Sequence, residues 1–153
     1  MKKFKILVYI FFLIIVNGCQ SDDGQNNSKK DVANSEINGM WTLVNVSGGF
    51  AGANQNFTAG SIRWDFDESN NTLKIVNDNQ ITDAIYDGLP TGTYTYSSIL
   101  STTSCGEGFN PLAITNAFES CYTITDNILT IDNNQIADGF ALKFERIMFC
   151  GTN

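Results

Sequence analysis

From Met40 onward, apolar and polar residues alternate in short runs along most of the chain. Period-two alternation indicates strands that bury one face and expose the other. In residues 61–66, Ile62, Trp64 and Phe66 share one face, while charged and polar residues share the other. Six further runs follow this pattern, at residues 40–46, 72–76, 93–97, 121–125, 128–132 and 140–146, and residues 81–87 form a weaker eighth candidate.

Turn-forming residues separate these runs, and only residues 112–118 have a spacing that would suit a helix. The pattern therefore predicts an all-β domain, an antiparallel up-and-down meander that closes into a small β-barrel of about eight strands. Closure is favoured because it removes the exposed edges of the sheet. A two-sheet β-sandwich is the alternative architecture.

The start of the chain has a different pattern. Three lysines among the first five residues precede an apolar run that extends to Val16. This order is typical of a secretory signal peptide, and the run is shorter than the ~20 residues that a membrane-spanning helix needs. We interpret residues 1–18 as a signal peptide, residues 19–36 as a polar, disordered tether that begins at Cys19, and residues 37–153 as the barrel domain.

Val16, Gly18 and Cys19 together resemble the bacterial lipobox. The resemblance implies that Cys19 is diacylated and becomes the first residue of the mature protein, which is then held at a membrane by its lipid. Two or three acyl chains give firm anchoring, whereas one binds only marginally. Ordinary signal cleavage that leaves a thiol at this position is the alternative.

Asp22 and Asp23 follow the cysteine closely and resemble the short acidic run that sends some Gram-negative lipoproteins to the outer face of the outer membrane. This resemblance implies a lipid-anchored outer-membrane protein that faces the cell surface, with the periplasmic face as the alternative location. A linker that two aspartates merely keep solvated is the alternative interpretation of the run.

The charge balance narrows the classes of partner. The chain has 9 basic and 16 acidic side chains, and removal of the predicted signal peptide would take away three lysines and leave a formal charge of −10. A protein that binds nucleic acid needs a basic face, so nucleic acid is an unsuitable partner. An acidic surface suits basic proteins or cationic ligands.

Three cysteines remain for the exported, oxidising compartment after Cys19 is assigned to lipid. In a meander, Cys121 at the start of its strand lies at the same end as loop 99–120, which contains Cys105. We therefore predict a Cys105–Cys121 disulfide, with Cys150 at the opposite end as the remaining thiol. An extra strand within loop 99–120 would instead favour pairing of Cys105 with Cys150.

Gly39 and Trp41 at the head of the first strand, together with Arg146 at the end of the last, resemble the two ends of the lipocalin signature. The resemblance implies that Trp41 plugs one end of the barrel and that the Arg146 guanidinium lies across its ring. Such a cation–π contact contributes ~0.5–2 kcal/mol. It also implies a binding module rather than an enzyme.

The sequence contains few residues suited to catalysis or metal binding. The chain lacks histidine, and it has neither the CxxC spacing of a zinc site nor an acidic pair directed inward, since Asp65 and Asp67 lie on the face opposite Trp64. We predict no catalytic residue, metal or cofactor. Phe50 and Phe57 flank a glycine-rich segment, which we interpret as a ligand-binding loop, with a plug formed by folded-down aromatics as the alternative.

These observations favour a lipid-anchored, non-enzymatic, lipocalin-like domain that binds a small apolar or aromatic ligand or serves as an accessory surface protein. An acidic interaction or inhibitor module that docks a basic protein, such as a lysozyme, is the alternative. A glycan-cleaving enzyme would need two inward carboxylates ~5–10 Å apart. An open cavity lined by aromatics favours ligand binding, and a filled barrel with an acidic mouth favours protein docking.

Lipidation at Cys19 is directly testable by metabolic labelling with a fatty-acid analogue. We expect the analogue to label the wild-type protein and not the Cys19→Ala variant, because only the thiol of Cys19 can receive the lipid. Equal labelling of the two proteins would contradict the lipobox interpretation.

Overall fold

The computed structural model describes residues 37–101, 104–133 and 138–148. The predicted signal peptide and tether and Cys150 lie outside these described residues. Within the three ranges the chain forms nine strands and no helix. In chain order the strands are β1 (Gly39–Gly48), β2 (Ala53–Asn56), β3 (Ile62–Asp67), β4 (Thr72–Asn77), β5 (Gly92–Ser97), β6 (Asn110–Ile114), β7 (Phe118–Thr125), β8 (Ile128–Asn133) and β9 (Phe140–Arg146).

Eight of the strands form a closed antiparallel barrel. From β3 to β9 each strand pairs with the next along the chain, and β1 pairs with both β3 and β9. The β1–β9 ladder extends from Trp41 opposite Arg146 to Gly48 opposite Phe140 and closes the sheet on itself. The predicted all-β meander and lipocalin-like barrel are thus confirmed, and the sandwich alternative is excluded.

Strand β1 is long because two strands, β2 and β3, pair with the same edge of it. Residues Gly39–Thr42 pair with β3, and residues Asn45–Gly48 pair with β2. A β-bulge between these two halves shifts the register with β9 between Leu43 and Asn45. The extra residue in β1 allows Leu43 and Val46, which are three positions apart, both to be buried.

The two ends of the barrel carry different loops. The closed end is where β1 begins and β9 ends, and it carries the β3–β4 turn and loop 98–109. The mouth end is the opposite one, and it carries the β1–β2 turn at residues 49–52 and the segment between β4 and β5. We call this segment, residues 78–91, the cover loop.

The seven main predicted strands are confirmed, and the two weaker assignments are wrong. Residues 81–87, the candidate eighth strand, belong to the cover loop. Side chains replace the ladder there: Thr91 accepts a hydrogen bond at its hydroxyl from the Asn77 backbone amide (2.8 Å), and the Asn79 side chain donates one to the Asp87 carboxylate (3.0 Å). Such local side-chain bonds compete with strand pairing.

The barrel strand that pattern analysis missed is β6. Its apolar positions Leu112 and Ile114 were read as the start of a helix at residues 112–118, but the chain reverses at residues 115–117, where Asn116 adopts φ 60°. Strand β2 was also missed, because it has no apolar alternation. It pairs with β1, and the Asn45 side chain reinforces this pairing by donating hydrogen bonds to the side chains of Asn54 (2.9 Å) and Asn56 (2.8 Å).

The predicted Cys105–Cys121 disulfide is present, with Cα atoms 5.7 Å apart. This pairing is present even though the extra strand within loop 99–120, which was expected to favour Cys105–Cys150, does exist as β6. Strand β7, however, begins at Phe118, so Cys121 lies within the strand and pairs with Pro111 near the start of β6. Loop 98–109, which contains Cys105, leads into that same position.

Removal of this disulfide is expected to destabilise the barrel. The two cysteines are 16 positions apart in the sequence. Cross-linking a loop of this length stabilises the fold by ~3 kcal/mol in the chain-entropy model. The Cys105→Ala/Cys121→Ala double variant should lose about that free energy of unfolding in urea titrations. Non-reducing peptide mapping of the wild type provides the control, and a linked peptide that joins Cys150 to Cys105 or Cys121 would contradict this pairing.

Candidate functional site

The described interior of the barrel is filled by its own side chains. Trp64 packs against Phe144 and Phe66, with ring centroids 5.0 and 6.1 Å apart. Trp41, Trp64 and Phe144 have no exposed surface, so none of them borders a void that would admit a water molecule. These aromatic side chains therefore form a close-packed core and do not line an open cavity.

The cover loop closes the mouth end above this core. Tyr86 stacks on Phe140 with ring centroids 4.8 Å apart and an interplanar angle of 18°. Gly88 has a positive φ of 88°, and a side chain at this position would approach the Trp64 ring at 3.4 Å. Burial raises the pKa of the Tyr86 phenol, and the Asp87 carboxylate adds to that rise.

The two phenylalanines of the predicted ligand loop are separated in the structure. Phe57 is buried and belongs to the core, and its amide donates a hydrogen bond to the Val44 carbonyl (2.9 Å). Phe50 lies on the β1–β2 turn and is 94% exposed. The two rings therefore do not share one exposed loop surface: Phe57 packs in the core, and Phe50 projects into solvent from the turn beyond the end of β1.

Phe50 is not isolated at the mouth end. The preceding residue, Gly49, lies against the Phe140 ring, and Phe140 stacks on Tyr86. Ile85, which is 64% exposed, precedes Tyr86 in the cover loop. We use the name mouth surface for the exposed apolar and acidic residues around this stack, namely Phe50, Ile81, Asp83, Ile85 and Asp138.

The closed end has the geometry that the lipocalin resemblance implied. The Arg146 guanidinium carbon lies 4.1 Å from the centroid of the Trp41 ring. The Trp41 indole N–H donates to the Ile37 carbonyl (2.7 Å), and Arg146 Nη1 donates to the Asn38 carbonyl (2.8 Å). Gly39 has φ 105°, and a Cβ there would lie 3.3 Å from Arg146 Nη1. A glycine therefore allows the chain to turn beneath the arginine.

The outward carboxylate of Asp67 on β3 has structural partners. It accepts hydrogen bonds from the Ser69 hydroxyl (2.5 Å) and the Asn70 side chain (2.6 Å), which lower the pKa of the carboxyl group, and a further one from the Ser69 amide (3.0 Å) helps to shape the β3–β4 turn. Among the described residues, no three histidine, cysteine or acidic side chains group in a way that could hold a metal ion. The described ranges also contain no helix with the length and apolar character of a membrane span.

Sequence reasoning missed the residues that form the mouth. Tyr86 lies in a run that was read as a strand, and its partner Phe140 begins a strand more than fifty positions later along the chain. The alternation of β9 predicted which way Phe140 faces, but no local pattern pairs it with a loop residue. The signal that could have found the cover is the density of Asn, Asp and Gly in residues 77–88, which is typical of loops.

Comparisons with protein-family models, curated proteins and solved structures found no match to this chain.

Trp41 and Arg146 are expected to be thermodynamically coupled, because the guanidinium covers the indole face. A double-mutant cycle with Trp41→Phe and Arg146→Met, measured by urea unfolding, should give an interaction energy above ~0.5 kcal/mol. Arg63→Met is the matched control, since Arg63 pairs with Asp78 and not with Trp41. Additive effects of Trp41→Phe and Arg146→Met would contradict the role of this contact in closing the barrel.

Proposed function

We propose that this protein is a lipid-anchored lipoprotein of the outer membrane whose small barrel is a non-enzymatic binding module. In this proposal, lipid on Cys19 holds the protein at the membrane, and the tether enters the barrel at Ile37, at the closed end. The mouth surface then docks a basic partner protein at the cell surface.

The observation that carries the docking proposal is the exposure of Phe50 beside a mouth that is already closed. A phenylalanine side chain that is 94% exposed buries almost no apolar surface in the fold. Large aromatic side chains supply much of the binding energy of protein interfaces. Tyr86 and Phe140 fill the mouth beneath it. The apolar part of a docked protein therefore contacts the mouth surface and does not enter the barrel.

Charge supports a basic partner. Residues 37–148 contain twelve acidic and four basic side chains. Asp83 and Asp138 lie exposed on the mouth surface, and Asp78, at the start of the cover loop, pairs with Arg63 at 3.6 Å. Complementary charge accelerates the encounter of two proteins and selects against acidic competitors.

A small apolar ligand is the second candidate, and one specific observation favours it. The indole N–H of Trp64 is buried beneath the cover loop and has no hydrogen-bond partner among the described residues. A ligand with an acceptor atom and an apolar body would satisfy this group if the cover loop moved aside. The ligand would then have to separate the Tyr86–Phe140 stack.

The docking proposal can be tested with a basic lysozyme as the probe. Binding of the purified protein to immobilised lysozyme should be saturable and should weaken with salt, because complementary charge contributes to it. Phe50→Ser should weaken binding by at least about tenfold, as expected for the loss of a central aromatic contact.

Ile99→Ser is the matched control, because Ile99 is 77% exposed but lies in loop 98–109 at the closed end. It should leave the affinity unchanged. Absence of saturable binding, or an equal loss for both variants, would contradict docking at the mouth surface. Binding of an apolar fluorescent probe with quenching of Trp64, together with an unchanged lysozyme result, would favour the second candidate.

A further inference from the structure

A cleft opens at the closed end where two barrel strands diverge. Strands β5 and β6 share only two register pairs, Tyr96 with Ile114 and Ser97 with Ala113, and each of the other neighbouring barrel strands shares at least four. The chain leaves β5 after Ser97, while β6 extends further toward the closed end. A cleft of about 180 Å³ lies in this gap.

The sequence of β6 is suited to an open edge at this point. Thr115 donates its backbone N–H to the Thr95 carbonyl across the β5–β6 seam (2.9 Å). Amide directions alternate along a strand, so the odd-numbered residues of β6 direct their amides toward β5. Pro111 is one of these residues and has no N–H. At the gap, Pro111 therefore leaves no backbone N–H without an acceptor.

The walls of the cleft combine apolar, aromatic and acidic groups. Ile37 and Leu112, both buried, provide the apolar part. Tyr96 and Tyr122 contribute phenol rings, and Glu68 contributes a carboxylate at the exposed side. The described residues that line the cleft include no basic side chain. These walls therefore suit a small, positively charged ligand.

The Tyr96 side chain gives a second and independent indication of a ligand. Tyr96 is only 6% exposed, and its hydroxyl is buried without a hydrogen-bond partner among the described residues. Buried hydroxyls in folded proteins are usually paired. Its ring packs edge-on against Phe66, with centroids 5.2 Å apart, so the hydroxyl is held in place. Burial, with a contribution from Glu68, raises the pKa of Tyr96 to about 12.

We propose that this cleft binds a small primary amine with an apolar or aromatic body, whose ammonium group pairs with the Glu68 carboxylate and, once the side chains that cover the Tyr96 hydroxyl shift to admit it, donates a hydrogen bond to that oxygen. The rings of Tyr96 and Tyr122 add cation–π attraction. The apolar body lies against Ile37 and Leu112. The site is independent of the mouth surface, which lies at the other end of the barrel.

The same groups disfavour other ligands. A carboxylate would be repelled by Glu68, and a quaternary ammonium has no N–H to donate to the Tyr96 hydroxyl. The volume of the cleft is below the ~300–1,000 Å³ that is usual for pockets of drug-sized ligands. The ligand is therefore a small molecule and not a lipid or a peptide.

Titration calorimetry with the purified full chain tests the proposal, with 2-phenylethylamine as the probe. We expect saturable binding of this amine and no binding of 3-phenylpropionate, which carries the opposite charge. Tyr96→Phe should weaken amine binding by about tenfold, because a hydrogen bond to a charged group is lost. The same substitution should leave the weaker binding of the trimethylated amine unchanged.

Glu68→Gln should also weaken amine binding by about tenfold, whereas Glu107→Gln is the matched control. Glu107 is exposed in loop 98–109 and does not line the cleft, so this substitution makes the same change in net charge at the same end and should have little effect. Absence of saturable amine binding, equal effects of the two glutamate substitutions, or equal binding of 3-phenylpropionate would overturn the proposal.

The melting temperature provides a separate check on Tyr96→Phe. The hydroxyl bonds to no described residue, so its removal should leave the melting temperature unchanged or slightly higher. A clearly lower melting temperature would show that the hydroxyl has a partner within the protein, and the proposal would fail on that result as well.

Discussion

The pairing of β1 with β9 is the contact on which the rest of the molecule depends. It turns an open sheet into a barrel, and at its closed end it places the Arg146 guanidinium over the Trp41 ring. The indole N–H and the guanidinium then each bind a carbonyl of residues 37–38, just before β1. Gly39 permits this path because its φ of 105° suits a residue without a Cβ. One group of contacts thus closes the sheet, caps its end and fixes where the chain enters.

Because the barrel is closed and filled, the surfaces available for binding lie outside its interior. Because Trp64, Phe66 and Phe144 occupy the interior, the features available for binding lie where strands end or separate. At the mouth end these are the exposed side chains around the cover loop, and at the closed end they are the walls of the β5–β6 gap. This division is physically sensible, since a rigid sheet can hold loops and gaps of different chemistry without change to its core.

The fold followed from the sequence wherever burial alone imposes a pattern. Ile62, Trp64 and Phe66 alternate because one face of β3 is in the core, and the same rule located the other main strands. It failed for β2 and the cover loop, where Asn side chains decide the backbone path, and for β6, where Pro111 and a short length weaken the signal. The resemblance of Gly39, Trp41 and Arg146 to the lipocalin signature also implied the contact at the closed end in advance.

The binding features were less predictable than the fold. Phe50 and Phe57 look equivalent in the sequence, yet one is exposed and the other buried, because a short strand lies between them. Tyr96 follows the alternation of β5, so its inward direction was foreseeable. Its lack of a hydrogen-bond partner was not, since this depends on where β6 departs from β5, a property of two segments far apart along the chain.

The way β1 shares its edge has a consequence for self-association. Among the described strands, β2 alone pairs with a single neighbour, so its outer side is unpaired along its whole length. An open edge is a template on which a second molecule can add a strand. This edge is only four residues long, and its residues are Ala, Asn, Gln and Asn. A second chain would find few backbone groups to pair with and almost no apolar surface to bury, which protects the barrel against edge-to-edge aggregation.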